Sequence, residues 1–209
     1  AINATQIAKL TTDQIAGLST QQIAAIATDV IKSLTTAQIK ALSTAQIDAF
    51  TAPEVQQLTA DQIAAFNTQQ LPGFSTADMN ALTNAQFKAL TTAQVSNLST
   101  SQIRAISTGN MVVMETADIR ALNTAAIAAL TSPQWNALSE SQISALSTAQ
   151  VNTIGTAELG QISPVVFKKL NTAQIGALST AQMEALSANQ VVELTSAQFA
   201  SLTSAQLSA

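Results

Sequence analysis

Hydroxyl side chains are the most numerous groups in this sequence that could support chemistry. Threonine recurs at intervals of eight residues, as at Thr12, Thr20, Thr28, Thr36 and Thr44. A regular array of hydroxyls could bind ice or a polysaccharide, or carry O-linked sugar. The simpler interpretation, which we favour, is that these threonines keep an alanine-rich protein soluble. A serine or threonine nucleophile would need an adjacent base, and the sequence contains no His and no Cys to activate one.

The charged residues are too dispersed to form a recognisable catalytic or metal site. The twelve acidic residues never follow the D-x-D-x-D spacing of a calcium loop. Lys168 and Lys169 are the only adjacent basic residues, and a solvated helix end explains them. With six glycines in all, the chain also lacks a glycine-rich phosphate-binding loop. We therefore expect a protein that is not an enzyme, with no catalytic residues, no cofactor and no metal.

An eight-residue repeat, which we call an octad, determines the elements that carry these groups. The segment Leu42–Ala49, with the sequence LSTAQIDA, is a representative copy. Counted from Ile2, 26 octads follow one another without insertion or deletion, and their first and sixth positions are always apolar. Such exact short periods are typical of solenoids, in which each unit is stabilised by its neighbours. We therefore predict a single octad solenoid over residues 1–209, uncapped at both ends because the terminal octads are ordinary copies.

Each octad carries the signals that start a helix. Ser43 and Gln46 have the spacing of a capping box, in which each side chain bonds a backbone N–H at the helix start. Leu42 and Ile47 occupy the two positions of a hydrophobic staple. The sequence therefore predicts an all-α solenoid of about 26 helices of about six residues each, one per octad. Because helices this short are marginal alone in water, stacking must stabilise them.

The charges and prolines agree with this helix polarity. Nine of the twelve acidic residues lie in the cap or first turn of an octad, and all eight basic residues lie in its last two positions, as a helix dipole favours. Pro164 occupies the first helical position, and Pro53 and Pro133 the second, where a missing N–H costs little. A β-solenoid, whose strands have almost no net dipole, is the less favoured alternative. Pro72 falls in a helix interior, so we expect that helix to end early.

A helical wheel assigns a role to each face of the octad. The apolar first and sixth positions, Leu42 and Ile47, form one face that we interpret as core. The alanine positions, Ala45 and Ala49, form a nearly opposite face that we interpret as close helix-to-helix contact. The third face, which includes Thr44, is expected to meet solvent. No super-period of 16 or 24 residues is evident in the sequence, so the number of octads per coil stays open.

A few octads depart from the pattern while keeping its length. Val112 and Val113, and likewise Val165 and Val166, stand where polar or small residues are usual. These valines could mark exposed apolar patches that make lateral contacts, although sequence drift in a tolerant array explains them more simply. Trp135 fills an ordinary sixth position and is therefore expected in the core.

The overall composition limits the partners. Apolar residues make up 47% of the chain, yet no stretch approaches the roughly 18 consecutive apolar residues of a spanning helix, so we expect no membrane insertion. The net charge is −4 and the eight basic residues are scattered, whereas a nucleic-acid site needs a clustered basic face. We therefore expect no nucleic-acid partner.

The segments Leu34–Ile39 (LTTAQI) and Leu178–Met183 (LSTAQM) resemble the LTTAQI/LSTAQI repeats of very large bacterial secreted or surface proteins. Those proteins are often labelled haem-utilisation or adhesion proteins, and the resemblance covers the entire chain. It implies export and a location outside the cell or at its surface. It implies no haem ligand here, because His, Cys and Tyr are absent and the four methionines occupy core positions.

These observations favour a structural extracellular repeat protein. Its stacked octads would build a filament or sheath, or form the stalk of a bacterial adhesin, and its partner would be the chain itself through end-to-end or lateral assembly. The alternative is a binding module that presents a threonine-rich face to a glycan, to ice or to a partner protein. The variable seventh position reads Lys32, Lys40, Asp48 and Gln56, which is not the patterned surface of a binding solenoid.

Overall fold

The computed structural model describes residues 2–209 and confirms an all-helical fold. Within this range the chain forms 24 α-helices and two 3₁₀-helices, one in each octad. The same residues contain no β-strand, so the β-solenoid alternative is wrong.

The chain divides into two compact units, the first ending at Val113 and the second running from Met114 to Ala209. The α-helices of the first unit are Ala4–Ile7, Thr12–Ala16, Thr20–Ala24, Thr36–Ala41, Thr44–Asp48, Ala52–Gln57, Ala60–Ala65, Thr76–Ala81, Asn84–Lys88, Thr92–Ser96, Thr100–Ala105 and Thr108–Val113. Its 3₁₀-helices are Ile31–Ser33 and Thr68–Gly73. The α-helices of the second unit are Thr116–Ala121, Thr124–Ala129, Ser132–Ala137, Glu140–Ala145, Thr148–Asn152, Thr156–Gln161, Pro164–Phe167, Thr172–Gly176, Thr180–Glu184, Ala188–Val192, Ser196–Ala200 and Ser204–Leu207.

Within each unit, three octads complete one coil of the solenoid. In the first unit Thr12–Ala16 packs against Thr36–Ala41, which packs in turn against Ala60–Ala65. In the second unit Thr148–Asn152 packs against Thr172–Gly176. Within each unit, the helices that contact one another therefore begin about 24 residues apart along the chain. The octads are so alike that this coil period leaves no trace in the sequence.

The predicted capping boxes start the helices. Before Thr44–Asp48, the Ser43 Oγ accepts a hydrogen bond from the Gln46 backbone N–H at 3.2 Å, and the Gln46 Oε1 accepts one from the Ser43 N–H at 2.8 Å. Loss of such a cap typically costs about 1 kcal/mol. Since the same reciprocal pair recurs in most octads of both units, the prediction of where helices begin is confirmed.

Two extended residues form the corner between consecutive helices. Leu42 (φ −66°, ψ 137°) ends one helix, and Ser43 (φ −76°, ψ 161°) caps the next. Both are ordinary backbone conformations for L-residues, and no residue of the described range has a positive φ. The chain therefore turns at each octad without needing glycine at the corner.

The apolar positions fill the core as predicted, but the alanine positions do not behave as expected. Leu42 is 3% exposed and Ile47 is fully buried. Ala45 is exposed and Ala49 is half-buried, so the proposed alanine contact face is wrong for the first of these positions. Gln46 takes the buried place beside the core instead, at 3% exposure.

Two octads form 3₁₀-helices for different reasons. Ile31–Ser33 lies in an octad with Ala27 at the cap position and Val30 before the helix, and no side chain caps its start. Thr68–Gly73 keeps its capping box but contains Pro72, which has no N–H for an α-helical bond. Contrary to expectation this helix does not end early; it continues with 3₁₀ geometry to Gly73.

Gly73 lies where two coils approach each other closely. A Cβ atom at this position would lie 2.6 Å from the Thr44 carbonyl oxygen and 2.8 Å from the Ile47 Cβ. Both atoms belong to the coil before it, and one of them is backbone. The alanine that usually ends an octad cannot fit here without moving that coil.

Candidate functional site

A row of glutamine side chains connects successive coils and is the most regular polar feature of the structure. Gln38 Nε2 lies 2.8 Å from both the Ile7 and the Leu10 carbonyl oxygens, one coil earlier. Gln206 repeats this geometry, with distances of 3.1 and 2.7 Å to the two corresponding oxygens. We call this set the glutamine ladder. Its members include Gln38, Gln46, Gln62, Gln70, Gln86, Gln94, Gln102, Gln150, Gln174, Gln182, Gln190 and Gln206.

The glutamine ladder donates to backbone oxygens at the ends of the very short helices, where carbonyl groups lack α-helical donors. Of the two oxygens that Gln38 bonds, the Ile7 oxygen also accepts the Leu10 N–H at 3.2 Å, and the Leu10 oxygen lies at the corner after the helix. The Oε1 atom of the same side chain accepts the N–H of its own helix cap, at 2.8 Å for Gln38. One buried side chain thus bonds to two coils: its Oε1 accepts from its own coil and its Nε2 donates to the coil before. Both polar atoms of the amide therefore have partners, as burial requires. The capping-box spacing predicted only the first of these two roles.

Two substitutions of the ladder glutamine, one by an acid and one by a shorter amide, show what the ladder position requires. Glu54 keeps the cap, since its Oε2 accepts the Thr51 N–H at 2.6 Å, but a carboxylate has no N–H with which to continue the ladder. Asn110 donates through Nδ2 to the Leu82 oxygen at 2.9 Å. Its Oδ1 is the one buried side-chain polar atom among the described residues that has no partner. Asparagine is one methylene shorter than glutamine. It therefore donates to the preceding coil but does not accept the backbone N–H of its own helix cap.

The first coil has one uncovered side, which we call the first-coil face. It carries Gln6, Gln14 and Gln22, whose Oε1 atoms accept their own cap N–H groups at 2.8 to 3.0 Å. The Nε2 atoms of these exposed glutamines donate to no acceptor within residues 2–209. An apolar cavity of about 280 Å³ opens on the same face and is lined by Ile2, Ile7, Leu18, Gln22, Ala25 and Ile26. The first-coil face is therefore apolar and offers three amide donors.

The last coil also has an uncovered side, which we call the last-coil face. It offers hydrogen-bond acceptors, whereas the first-coil face offers donors. Its sixth-position residues Val191, Phe199 and Leu207 are 41%, 52% and 55% exposed, whereas Phe167 and Ile175 in the coil before are buried. It also presents carbonyl oxygens in the pairs that the ladder uses elsewhere, and no described glutamine donates to them. These pairs are Met183 with Leu186, Val191 with Leu194, and Phe199 with Leu202.

The threonines of the predicted array form a row in the first unit. Thr20, Thr44 and Thr92 are exposed and Thr68 is half-buried. Each is the first residue of its helix, and the four helices stack on one another in successive coils. The structure therefore places these side chains at equivalent positions along one surface of that unit.

The adjacent lysines make specific contacts with neighbouring coils. Lys168 Nζ lies 2.9 Å from Glu193 Oε2, and both side chains are largely exposed, at 50% and 39%. Exposed ion pairs of this kind contribute about 0 to 1 kcal/mol. Lys169 Nζ donates to the Leu138 carbonyl oxygen at 3.0 Å. The second lysine therefore extends the coil-to-coil bonding rather than simply ending a helix in solvent.

The valines that depart from the pattern are not exposed as a group. Val112 and Val165 are 58% and 69% exposed, while Val113 is half-buried and Val166 is buried. Each unit therefore has one exposed valine among these four. Single exposed side chains do not form the contiguous apolar patch that is typical of an interface. Trp135 is 1% exposed and lies in the core, as its position predicted.

Two other kinds of feature are absent from the described part of the chain. Residues 2–209 contain no group of three or more His, Cys, Asp or Glu side chains that could hold a metal ion. Within the same range, none of the helices combines the length and the apolar character needed to cross a membrane.

Comparison with known proteins identifies the repeat. A family model described as the ALTTAQ repeat matches residues 23–60, 55–92, 73–108, 111–148, 151–188 and 167–196. Together these matches cover well over half of the chain and extend through both units. No curated protein matches it.

Proposed function

Because the chain belongs to the ALTTAQ repeat family, we propose that it is a structural extracellular repeat protein that builds a filament or sheath, or forms the stalk of a bacterial adhesin. In this role it acts outside the cell or at its surface, and it needs neither a catalytic group nor a cofactor. The resemblance of its octads to repeats of large bacterial secreted proteins supports this location.

The glutamine ladder is the observation that carries the proposal. Each ladder glutamine donates to two carbonyl oxygens of the coil before, and a coil contains three octads. At about 0.5 to 1.5 kcal/mol per hydrogen bond, three glutamines contribute about 3 to 9 kcal/mol to each coil-to-coil contact. The polar side chain that recurs most strictly is thus used to hold coils together, as a structural element requires.

Location is the part of the proposal that most needs a test. We expect antibodies against the folded chain to label intact cells that produce it, and external protease to remove the labelling. Immunogold electron microscopy of intact and permeabilised cells measures both. Labelling that appears only after permeabilisation would show that the protein is internal, and the extracellular role would then be wrong. A cytosolic protein probed in the same samples controls for leakage.

A binding module remains the second candidate, favoured by the exposed threonine row of the first unit. If Thr20, Thr44 and Thr92 bind a glycan or ice, replacing Thr20 and Thr44 with valine removes hydroxyls while keeping the side-chain shape. Glycan-array binding and ice-recrystallisation assays on the wild type and this double variant decide the matter. Equal results for the two proteins would rule out the threonine row as the binding surface.

A further inference from the structure

The octad of Val166 lacks the ladder glutamine, yet two of the backbone groups that this side chain usually bonds still have partners. In other octads the glutamine Oε1 accepts the cap N–H three positions earlier, and its Nε2 donates to a carbonyl oxygen 28 positions earlier, as for Gln174. For Val166 these two groups are the Ser163 N–H and the Leu138 oxygen. A valine side chain neither accepts nor donates hydrogen bonds, so other side chains must bond them.

Two side chains from different coils bond these groups instead. The Asn136 Oδ1 accepts the Ser163 N–H at 2.7 Å. The Lys169 Nζ donates to the Leu138 carbonyl oxygen at 3.0 Å. Asn136 comes from the coil before Val166, and Lys169 follows Val166 by three residues, so each side chain reaches across the contact between the two coils. The two roles of one glutamine amide are thus divided between an amide oxygen and an ammonium group.

The Leu138 oxygen depends on the lysine as its donor. No backbone N–H of residues 2–209 donates to this oxygen, and Leu138 is 1% exposed. The Trp135 oxygen, which a glutamine at this position would also bond, already accepts the Leu138 N–H at 3.2 Å. Because a buried carbonyl group without a donor is destabilising, Lys169 satisfies the one oxygen of the two that has no other partner.

The valine itself packs beside the largest side chain of the core. Val166, Trp135 and Phe167 line one small apolar cavity, and all three residues are buried. An apolar side chain is well suited to this place, because it brings no polar group against the indole that would need a partner. Apolar packing at Trp135 is therefore combined with polar bonds that come from the residues around Val166.

We propose that Asn136 and Lys169 are positioning residues that together replace the missing ladder glutamine and hold this coil-to-coil contact. This inference rests on the structural role proposed above, because it names residues other than glutamine that carry that role. It also changes the interpretation of Val166, since sequence drift alone does not provide a separate partner for each of the two backbone groups. The lysine and the asparagine are then as necessary to this contact as a glutamine is to the others.

Urea unfolding of the full chain, followed by circular dichroism, tests the lysine against its neighbour. Lys169→Met removes the donor and keeps most of the apolar stem. It should lower the folding equilibrium constant by at least about 10-fold, because a buried oxygen loses its charged donor. Lys168→Met is the matched control, since Lys168 makes an exposed ion pair with Glu193, and it should change the constant by less than about 5-fold. A loss for Lys169→Met no larger than for Lys168→Met would overturn the inference.

The asparagine is tested by a variant that removes its oxygen and one that keeps it. Asn136→Ala leaves the Ser163 N–H without this acceptor, whereas Asn136→Asp keeps an oxygen in the same place. We expect Asn136→Ala to lower the folding equilibrium constant by about 2- to 10-fold, and Asn136→Asp to lower it little or not at all. Equal losses for the two variants would show that the acceptor is not what Asn136 contributes.

Restoring the glutamine distinguishes replacement of the ladder from ordinary packing. Val166→Gln supplies both missing groups in one side chain, so Lys169→Met and Asn136→Ala should each cost much less in this background than in the wild type. Each loss is measured within one background, which cancels any cost of Val166→Gln beside Trp135. Val165→Gln adds the same side chain at a neighbouring position that is 69% exposed, and it should leave both losses unchanged. Losses of undiminished size in the Val166→Gln background would overturn the inference.

The outcome is independent of where the protein acts, because these measurements use the purified chain. Failure of the surface labelling described above would refute the extracellular role and leave the rescue by Val166→Gln intact. Absence of that rescue would refute the replacement of the glutamine by Asn136 and Lys169 and leave the labelling result intact.

Discussion

Replacing Gln94 with methionine should be much more destabilising than the same replacement at Gln14. Gln94 Nε2 donates at 2.8 Å to both the Ile63 and the Phe66 oxygens, and Gln94 is buried. Methionine has a similar volume but cannot donate a hydrogen bond. The Ile63 oxygen keeps its bond from the Phe66 N–H at 3.4 Å, whereas the Phe66 oxygen loses its donor. At about 1 to 3 kcal/mol for the orphaned buried oxygen and about 0.5 to 1.5 kcal/mol for the other lost bond, Gln94→Met should lose about 1.5 to 4.5 kcal/mol of unfolding free energy.

Gln14 is the matched control for the buried ladder position. Its octad has the same cap, and its Oε1 accepts the Thr11 N–H at 2.8 Å, but its Nε2 donates to no described residue. Gln14→Met should therefore cost only the exposed capping bond, about 0.5 to 1.5 kcal/mol. Urea unfolding followed by far-ultraviolet circular dichroism gives both values, with the slope compared to verify that the denatured state is unchanged.

A third variant separates the two roles of the ladder side chain. Gln94→Glu keeps an oxygen for the Thr91 N–H, which Gln94 Oε1 accepts at 2.6 Å, but it loses the donor toward the preceding coil and brings a buried carboxylate against the two carbonyl oxygens. We expect it to be destabilised at least as much as Gln94→Met. If Gln94→Met and Gln14→Met cost the same, or if Gln94→Glu is neutral, the coil-to-coil bonds contribute nothing to stability and the reasoning above is refuted.

Two other substitutions test departures from the repeat. Asn110→Gln should raise the free energy of unfolding by about 1 kcal/mol, because it gives a partner to the one buried side-chain polar atom of residues 2–209 that lacks one; an unchanged urea midpoint would contradict this. Gly73→Ala should cost about 1 to 3 kcal/mol, because the new Cβ would meet a backbone oxygen at 2.6 Å. Gly109→Ala, whose Cβ would meet nothing closer than 3.6 Å, is its control and should be neutral or stabilising in the same assay.

Local signals in the sequence were sufficient to predict the helices. The bonds between Ser43 and Gln46 join residues three apart, so their spacing in the sequence specifies their geometry. The burial of Leu42 and Ile47 follows from the same short window, since the two residues occupy the two hydrophobic-staple positions on either side of the Ser43 cap. Every octad contains these signals, which is why the helix starts and the apolar core could be predicted without knowing how the coils stack.

The contacts between coils could not be predicted, because nothing in one octad distinguishes its neighbour three octads away. Gln38 bonds the Ile7 and Leu10 oxygens, yet every octad offers similar oxygens and the sequence has no 24-residue pattern. The error at Ala45 has the same origin: the wheel of one isolated helix assigned the alanine positions to the helix-to-helix contact and gave the glutamine no part in it. Only the arrangement in coils shows that the glutamine amide is the group facing the neighbouring coil.

The equivalence of octads predicts that the fold tolerates loss of a whole octad but not of half of one. If residues 90–97 are deleted, Gln94 is lost and Gln102 takes its place in the sequence. Gln102 then follows Ile63 by 31 residues and Phe66 by 28, which is the spacing at which Gln94 bonds their carbonyl oxygens in the wild type. Every later ladder residue shifts by the same step, and the close approach of Gly73 to Thr44 lies before the deletion and is unaffected.

Deletion of residues 90–93 alone is the control, because it removes a helix start and shifts every later donor by half an octad. We expect the eight-residue deletion to keep a helical spectrum and a cooperative urea transition, and the four-residue deletion to lose both, as measured by circular dichroism on the two proteins side by side. If the octad deletion unfolds as completely as its control, stability depends on particular pairs of side chains between coils. The glutamine ladder would then not be an interchangeable connection between successive coils.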